Sequence, residues 1–127
     1  IGIQKNSNTR KLFELADLWG MKYILADEIY PESIPNLMFS INAFLDDVDV
    51  VYVTVCMDVF NAAIAPGVSA PAYNGIFADH SFMQMFRHIL SQEKTRALDV
   101  AEVNPDFDIQ ERTARLAASL VNEWFMI

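Results

Sequence analysis

The 127 residues carry 9 Lys and Arg against 17 Asp and Glu, a net charge of −8, and 53% of them are hydrophobic. That length and apolar content suit one folded domain with a real core, and the acidic balance argues against non-specific nucleic-acid binding, which needs clustered Lys and Arg. The single cysteine, Cys56, excludes an internal disulfide and points to a reducing, cytoplasmic setting, while no apolar run is long enough to span a bilayer.

In chain order, Ile1–Gln4 reads as a short strand. Ser7 or Asn8 can cap a helix whose apolar face is Leu12, Leu15, Ala16 and Trp19, and Gly20 ends it. Met21–Ala26 reads as a second strand. Ser33 can cap a second helix, with Pro35 tolerated in its first turn and Leu37, Ile41, Phe44, Leu45 and Val48 as its buried stripe. Val50–Met57 is a near-continuous apolar run rich in β-branched residues, as expected of a strand buried on both faces.

A long loop, Asn61–Phe77, follows with Pro66, Gly67, Pro71 and Gly75 as breakers. Asp79 can cap a third helix carrying Phe82, Met85, Phe86 and Ile89 on one face. Ala97–Val103 reads as a fourth strand, stopped by Pro105. Asp108 and Glu111 have capping-box spacing and open the last helix, which buries Leu116, Ala117, Leu120, Val121 and Trp124.

Strands alternating with helices imply crossover connections and therefore a parallel α/β sheet. Ligands of such sheets sit beyond the carboxyl ends of the strands. That directs attention to Lys5 and Asn6, Asp27 and Glu28, Cys56 to Ala65, and Glu102 to Pro105. Cys56 and Asp58, two apart at the end of the most apolar strand, share a face. Asp58 could serve chemistry there, or simply close the next turn through an Asx hydrogen bond. Glu102 could orient a cationic amidine or guanidine by paired hydrogen bonds, or pair with a neighbouring Arg or backbone amide. The loop from Ala65 to Pro71 is small and stiff, and long loops in compact domains are often functional. His80 and His88, eight apart on one helix, have no Cys or acid at metal-ligand spacing.

Together these pieces resemble a known family. The segment Val51–Pro71, with Cys56, Met57 and Asp58 followed by Ala65, Pro66, Gly67, Val68, Ser69, Ala70 and Pro71, resembles the second metal-binding signature of the ureohydrolases, the superfamily of arginase, agmatinase and formimidoylglutamase. Leu98–Pro105, containing Glu102, followed by Thr113 to Ala118, resembles that family's last strand and helix. The wording of the loop and the opening Ile1–Thr9 are most similar to the formimidoylglutamase branch. The resemblance spans essentially the whole chain. It implies a three-layer arginase-like α/β fold, a parallel sheet with helices on both faces, of which these residues form the C-terminal half. It further implies a hydrolase that converts N-formimidoyl-L-glutamate to L-glutamate and formamide in histidine breakdown, using two manganese ions to activate water. Guanidine hydrolysis of the agmatinase or arginase type is the alternative within the superfamily.

Carried over, Asp58 matches a metal ligand, and Glu102 matches the catalytic acid that holds the substrate's amidine end. Lys5, Asn6 and Asn8 lie where the family's substrate-binding loop begins. A small-molecule substrate and a homo-oligomer are the implied partners. Two features depart from the pattern. The family has Asp-x-Asp where this chain has Cys56, Met57 and Asp58; a soft thiolate suits zinc or iron better than manganese, so Cys56 as a ligand should weaken one metal site or change its metal. A catalytically impaired, structural role is thus also open. The family's upstream Gly-Gly-Gly-His and Asp-Ala-His-x-x-Asp segments do not occur here. The expectation is a part of a longer polypeptide that, made alone, aggregates or melts without sharp cooperativity.

Overall fold

The computed structural model describes all residues from Ile1 to Ile127. Its centre is a parallel two-stranded sheet of β1 (Val51–Cys56) and β2 (Thr95–Ala101), with Val51 opposite Thr95 and Cys56 opposite Ala101. Parallel strands need a crossover; here it runs through a long loop and helix α3 (His80–Leu90). Helix α2 (Ile34–Asp46) leads into β1, and α4 (Arg112–Phe125) follows β2. An outlying helix, α1 (Arg10–Leu18), precedes them. No helix is long and apolar enough to cross a membrane.

Alternation along β1 decides the core. Val51, Val53 and Val55 turn inward, Val51 among Ile34, Ile41 and Leu45 of α2 and Met85 of α3, Val55 among Phe82 and Phe86 of α3 and Ala117 and Leu120 of α4. The two clusters meet at Val53. Phe82 meets Phe60 edge-on at 5.1 Å between ring centroids and stacks on Phe86 at 5.4 Å, both favourable aromatic arrangements. Lys94 holds α2 to the start of β2: its Nζ donates to the carbonyls of Leu45 (2.5 Å) and Val48 (2.9 Å) at the end of α2, where the helix dipole favours a cation.

Within these residues β1 is not buried on both faces. Tyr52 is 62% exposed and Thr54 is exposed; the hydroxyl of Tyr52 donates to Asp99 across the open face. The predicted strands Ile1–Gln4 and Met21–Ala26 reduce to a single parallel bridge between Ile3 and Leu25. The chain turns into 3-10 geometry at Lys5–Ser7 and Ala26–Glu28 before a ladder can extend. Trp19, expected on the helix's apolar face, stands at the end of α1 and is 70% exposed; α1 buries no residue fully.

Several caps also differ from expectation. Neither Ser7 nor Asn8 caps α1. The Ser7 hydroxyl donates to Gln4 Oε1 (3.3 Å), and Asn8 Nδ2 donates to the Gln4 carbonyl (2.9 Å). Ser33 closes a 3-10 turn instead of capping α2; its hydroxyl donates to the carbonyls of Glu28 and Tyr30. Asp79 does cap α3, accepting from Phe82 N–H at 3.1 Å. Asp108 serves α4 from outside the first turn, accepting from the N–H groups of Thr113 and Ala114, each at 3.0 Å. Glu111 makes no capping box; it sits at φ 58° and pairs with Arg115. Of the stripe read for α4, Ala117 and Leu120 are buried, Leu116 and Trp124 half-buried, and Val121 exposed; of that for α2, Phe44 is exposed.

Candidate active site

β1 and β2 end side by side, so the residues that follow them are brought together by register alone. Cys56 closes β1 opposite Ala101, and Glu102 follows immediately. The chain leaves β1 through a 3-10 turn, Met57–Val59. Met57 is fully buried and anchors that turn, which leaves Cys56 and Asp58 half-buried on the other side. Their side chains meet: Cys56 Sγ donates to Asp58 Oδ1 at 2.7 Å. Partial burial, the Asp58 hydrogen bond and the Asp58 charge, with a further contribution from Glu102, push the Cys56 thiol up to about 12. At neutral pH it is therefore a protonated donor to Asp58, not a thiolate.

The N-terminal segment approaches the same turn. Gly2, at φ 84°, packs so closely that an added Cβ would lie 2.5 Å from the Val59 side chain. Gln4, only 8% exposed, reaches toward the Asp58 carbonyl with Nε2 (3.4 Å) and receives Ser7 and Asn8 as described. In the sequence Gln4 carries one signal only, a polar residue at an inward position of an apolar run. Of the predicted residues, Asn8 is turned back onto Gln4, while Lys5 and Asn6 are exposed, Lys5 paired with Asp27 at 3.1 Å. Thus the structure brings Cys56, Asp58 and the segment carrying Lys5, Asn6 and Asn8 to one end of the sheet, with Glu102 on the neighbouring strand end.

The loop after Asp58 is ordered by its own bonds. Asn61 N–H donates to the Ile76 carbonyl (2.8 Å), and Ala62 N–H to that of Ala72 (2.7 Å). Gly75 is required there, since a Cβ would fall 2.5 Å from the Phe60 backbone. His80 is exposed, and His88 Nε2 lies 2.6 Å from Asn42 Oδ1; neither joins the site.

The donor set can be tested against manganese. No three His, Cys, Asp or Glu side chains come together in a group able to hold a metal ion. Asp58 is one oxygen donor; Cys56 offers a protonated sulfur already engaged with it. Manganese prefers several oxygen ligands, so these residues alone do not fit it.

A parallel sheet preceded and followed by helices, with an acid at each of two adjacent strand ends, makes this an α/β protein, and the chain belongs to the arginase family, which it matches from residue 1 to 127. Among curated relatives, the formimidoylglutamase of Staphylococcus carnosus is 42% identical over 124 residues, covering 98% of this chain and 40% of the relative. That of Staphylococcus aureus (strain MRSA252) is 37% identical over 124 residues, with 98% and 40% covered. The chain thus spans about two fifths of the length of these relatives. The crystal structure of formimidoylglutamase from Bacillus subtilis superposes with a TM-score of 0.88 at 23% identity, over 97% of this chain and 38% of that one. The arginase of Bacillus caldovelox does so at 0.80 and 21%, over 92% and 39%. The arginase-like fold is therefore shared, as the resemblance implied.

Proposed function

We propose that this chain contributes the C-terminal part of a hydrolase that cleaves a linear amidine C–N bond, converting N-formimidoyl-L-glutamate and water to L-glutamate and formamide, a step of histidine breakdown. The observation that carries the reading is the placement of Asp58 and Glu102 at adjacent ends of two parallel strands in register, beside relatives named for this activity. Glu102 is exposed and free to face a cation. A carboxylate accepting two N–H groups from an amidinium fixes its plane and orientation, which is the role we assign to Glu102. Lys5, with Asn6 and Asn8, would receive the carboxylate end of the substrate through a charge and amide donors. Asp58 would supply one oxygen ligand to a manganese centre whose remaining ligands lie outside residues 1–127. Cys56 and Asp58 alone do not fit that centre, so no reaction step is assigned to it. A homo-oligomer at work in the cytoplasm completes the proposal.

The test is product analysis on the protein in which these residues occur. Formamide released from N-formimidoyl-L-glutamate supports the reading. Urea released from a guanidine substrate, with no formamide, moves it to the agmatinase or arginase branch.

A second reading is favoured by Cys56. Because its thiol is bonded to Asp58 instead of presenting a carboxylate, the protein could be an impaired hydrolase kept for structure. Replacing Cys56→Asp separates the two. A large gain in manganese bound per chain marks a decayed site, and no gain marks a tolerated thiol.

A further inference from the structure

We infer that Thr113 is a positioning residue that sets the backbone of Glu102 through the loop at Gly67, an inference that rests on the proposed role of Glu102. Glu102 stands at φ 71°, in the left-handed region that side-chain-bearing residues rarely adopt. Such backbone persists only where the surroundings hold it, and it gathers at sites that need a side chain aimed in one direction. The Glu102 side chain is exposed, so its direction has to come from the main chain.

What holds that main chain lies two residues on. Asn104 N–H donates to the Gly67 carbonyl at 2.7 Å, and Asn104 Nδ2 donates to Ser69 Oγ at 3.2 Å. Gly67 is held in turn from its other side: its N–H donates to Thr113 Oγ1 at 2.7 Å, in a fully buried bond. It packs directly on Asp108, so closely that a Cβ there would stand 2.5 Å from the Asp108 side chain. Asp108 is itself fixed by the Thr113 and Ala114 amides. The path runs from Thr113 Oγ1 to Gly67, from Gly67 to Asn104, and from Asn104 to Glu102.

Thr113 is 0% exposed and lies on α4, so it cannot touch substrate. A hydroxyl in a buried helical stripe carries a desolvation cost that an apolar residue of the same shape would avoid. Two partners account for it: the Gly67 amide, which would otherwise be a buried donor without a partner, and the Asp108 carboxylate beside it.

The experiment compares Thr113→Val, which keeps the shape and removes the acceptor, with Thr113→Ser, which keeps the acceptor. Both are made in the protein in which these residues occur. KM and kcat for N-formimidoyl-L-glutamate are measured, together with amide hydrogen exchange at residues 66–69 and 102–104. Thr113→Val should raise KM about tenfold with kcat changed less, and speed exchange at Asn104 by at least about tenfold. Thr113→Ser should restore both. A normal KM and normal Asn104 exchange in Thr113→Val would overturn the inference, as would an equal defect in Thr113→Ser. If the unaltered protein releases no formamide, the proposed function fails, and the exchange arm decides this inference alone. If Thr113→Val does not fold, amide exchange in the unaltered protein decides: Gly67 and Asn104 should both be strongly protected, and fast exchange at either would overturn the inference.

Discussion

The first thirty residues and the region from α2 to α4 have similar proportions of apolar residues, yet only the second makes a core. In and just after α1 the apolar residues Leu12, Leu18 and Trp19 are exposed, Phe13, Leu15 and Ala16 are only half-buried, and the helix buries no residue fully. In α3 the same kind of pattern buries Phe82, Met85, Phe86 and Leu90. A helical stripe produces stability only when another element lies opposite it. The β1–β2 ribbon provides one inward face, and α2, α3 and α4 take it. The N-terminal segment instead attaches at a few points: Ile24, Ala26 and Ile29 at the edge of the core, the close approach of Gly2 to Val59, and Gln4 near Asp58.

The contrast can be broken by truncation. Phe60→Ala, at a fully buried side chain, should cost about 3–5 kcal/mol, whereas Trp19→Ala should stay within about 0.5 kcal/mol. Urea unfolding of both variants of the protein measures the difference; equal losses would mean that α1 is packed in solution.

Gly67→Ala comes next. The added methyl meets Asp108 at 2.5 Å, so overpacking should cost about 1–3 kcal/mol. Gly20→Ala, with open space around it but φ 65°, should cost only the left-handed penalty of about 1 kcal/mol. Paired melting temperatures rank the two.

Asp108 gives a pH-dependent prediction in the packed region. Partial desolvation pushes its carboxyl up, but the amides of Thr113, Ala114 and Ile109 outweigh that and hold it below the ordinary carboxylate range. A depressed folded value means that the stabilisation is present above the unfolded pKa of about 3.9 and is lost as pH falls through the folded one. Asp108→Ala should therefore lower stability by about 1 kcal/mol at pH 7, with the gap to the parent closing in strong acid. Thermal melts from pH 7 to pH 2 follow it; a gap independent of pH would assign the loss to packing.

The smallest effect is expected in the N-terminal segment. Lys5 and Asp27 form an ion pair with both side chains largely exposed, so Lys5→Ala should change stability by less than about 1 kcal/mol. A strong salt dependence of substrate KM that disappears in Lys5→Ala would instead tie Lys5 to ligand charge, as the proposed function requires.

The boundaries show why some elements were easier to read than others. Val51–Cys56 fell within one residue of the expected Val50–Met57 run, because a dense β-branched stretch has few alternatives. β2 lies two residues earlier than expected, at Thr95–Ala101. That shift moves Glu102 out of the strand and into the left-handed turn after it. Asp58 and Glu102 were readable as acids at strand ends. Gln4 and Thr113 were not, since a buried amide or hydroxyl looks like any surface polar residue until its partner is known; Gly67 and Asn104 lay in segments the sequence singles out, but their bond to each other left no mark there.

By itself the sequence determined the α/β alternation, the apolar stripes of α3 and α4, the Asp79 cap and the family resemblance, because each depends on local spacing or wording along the chain. Tertiary structure decided which stripes found a facing surface, that the Cys56 thiol is bonded to Asp58, and that Thr113, Gly67 and Asn104 are linked by hydrogen bonds two residues beyond Glu102. They depend on burial and local turn geometry, and on contacts such as that between Gly67 and Thr113, 46 positions apart, for which linear spacing carries no signal.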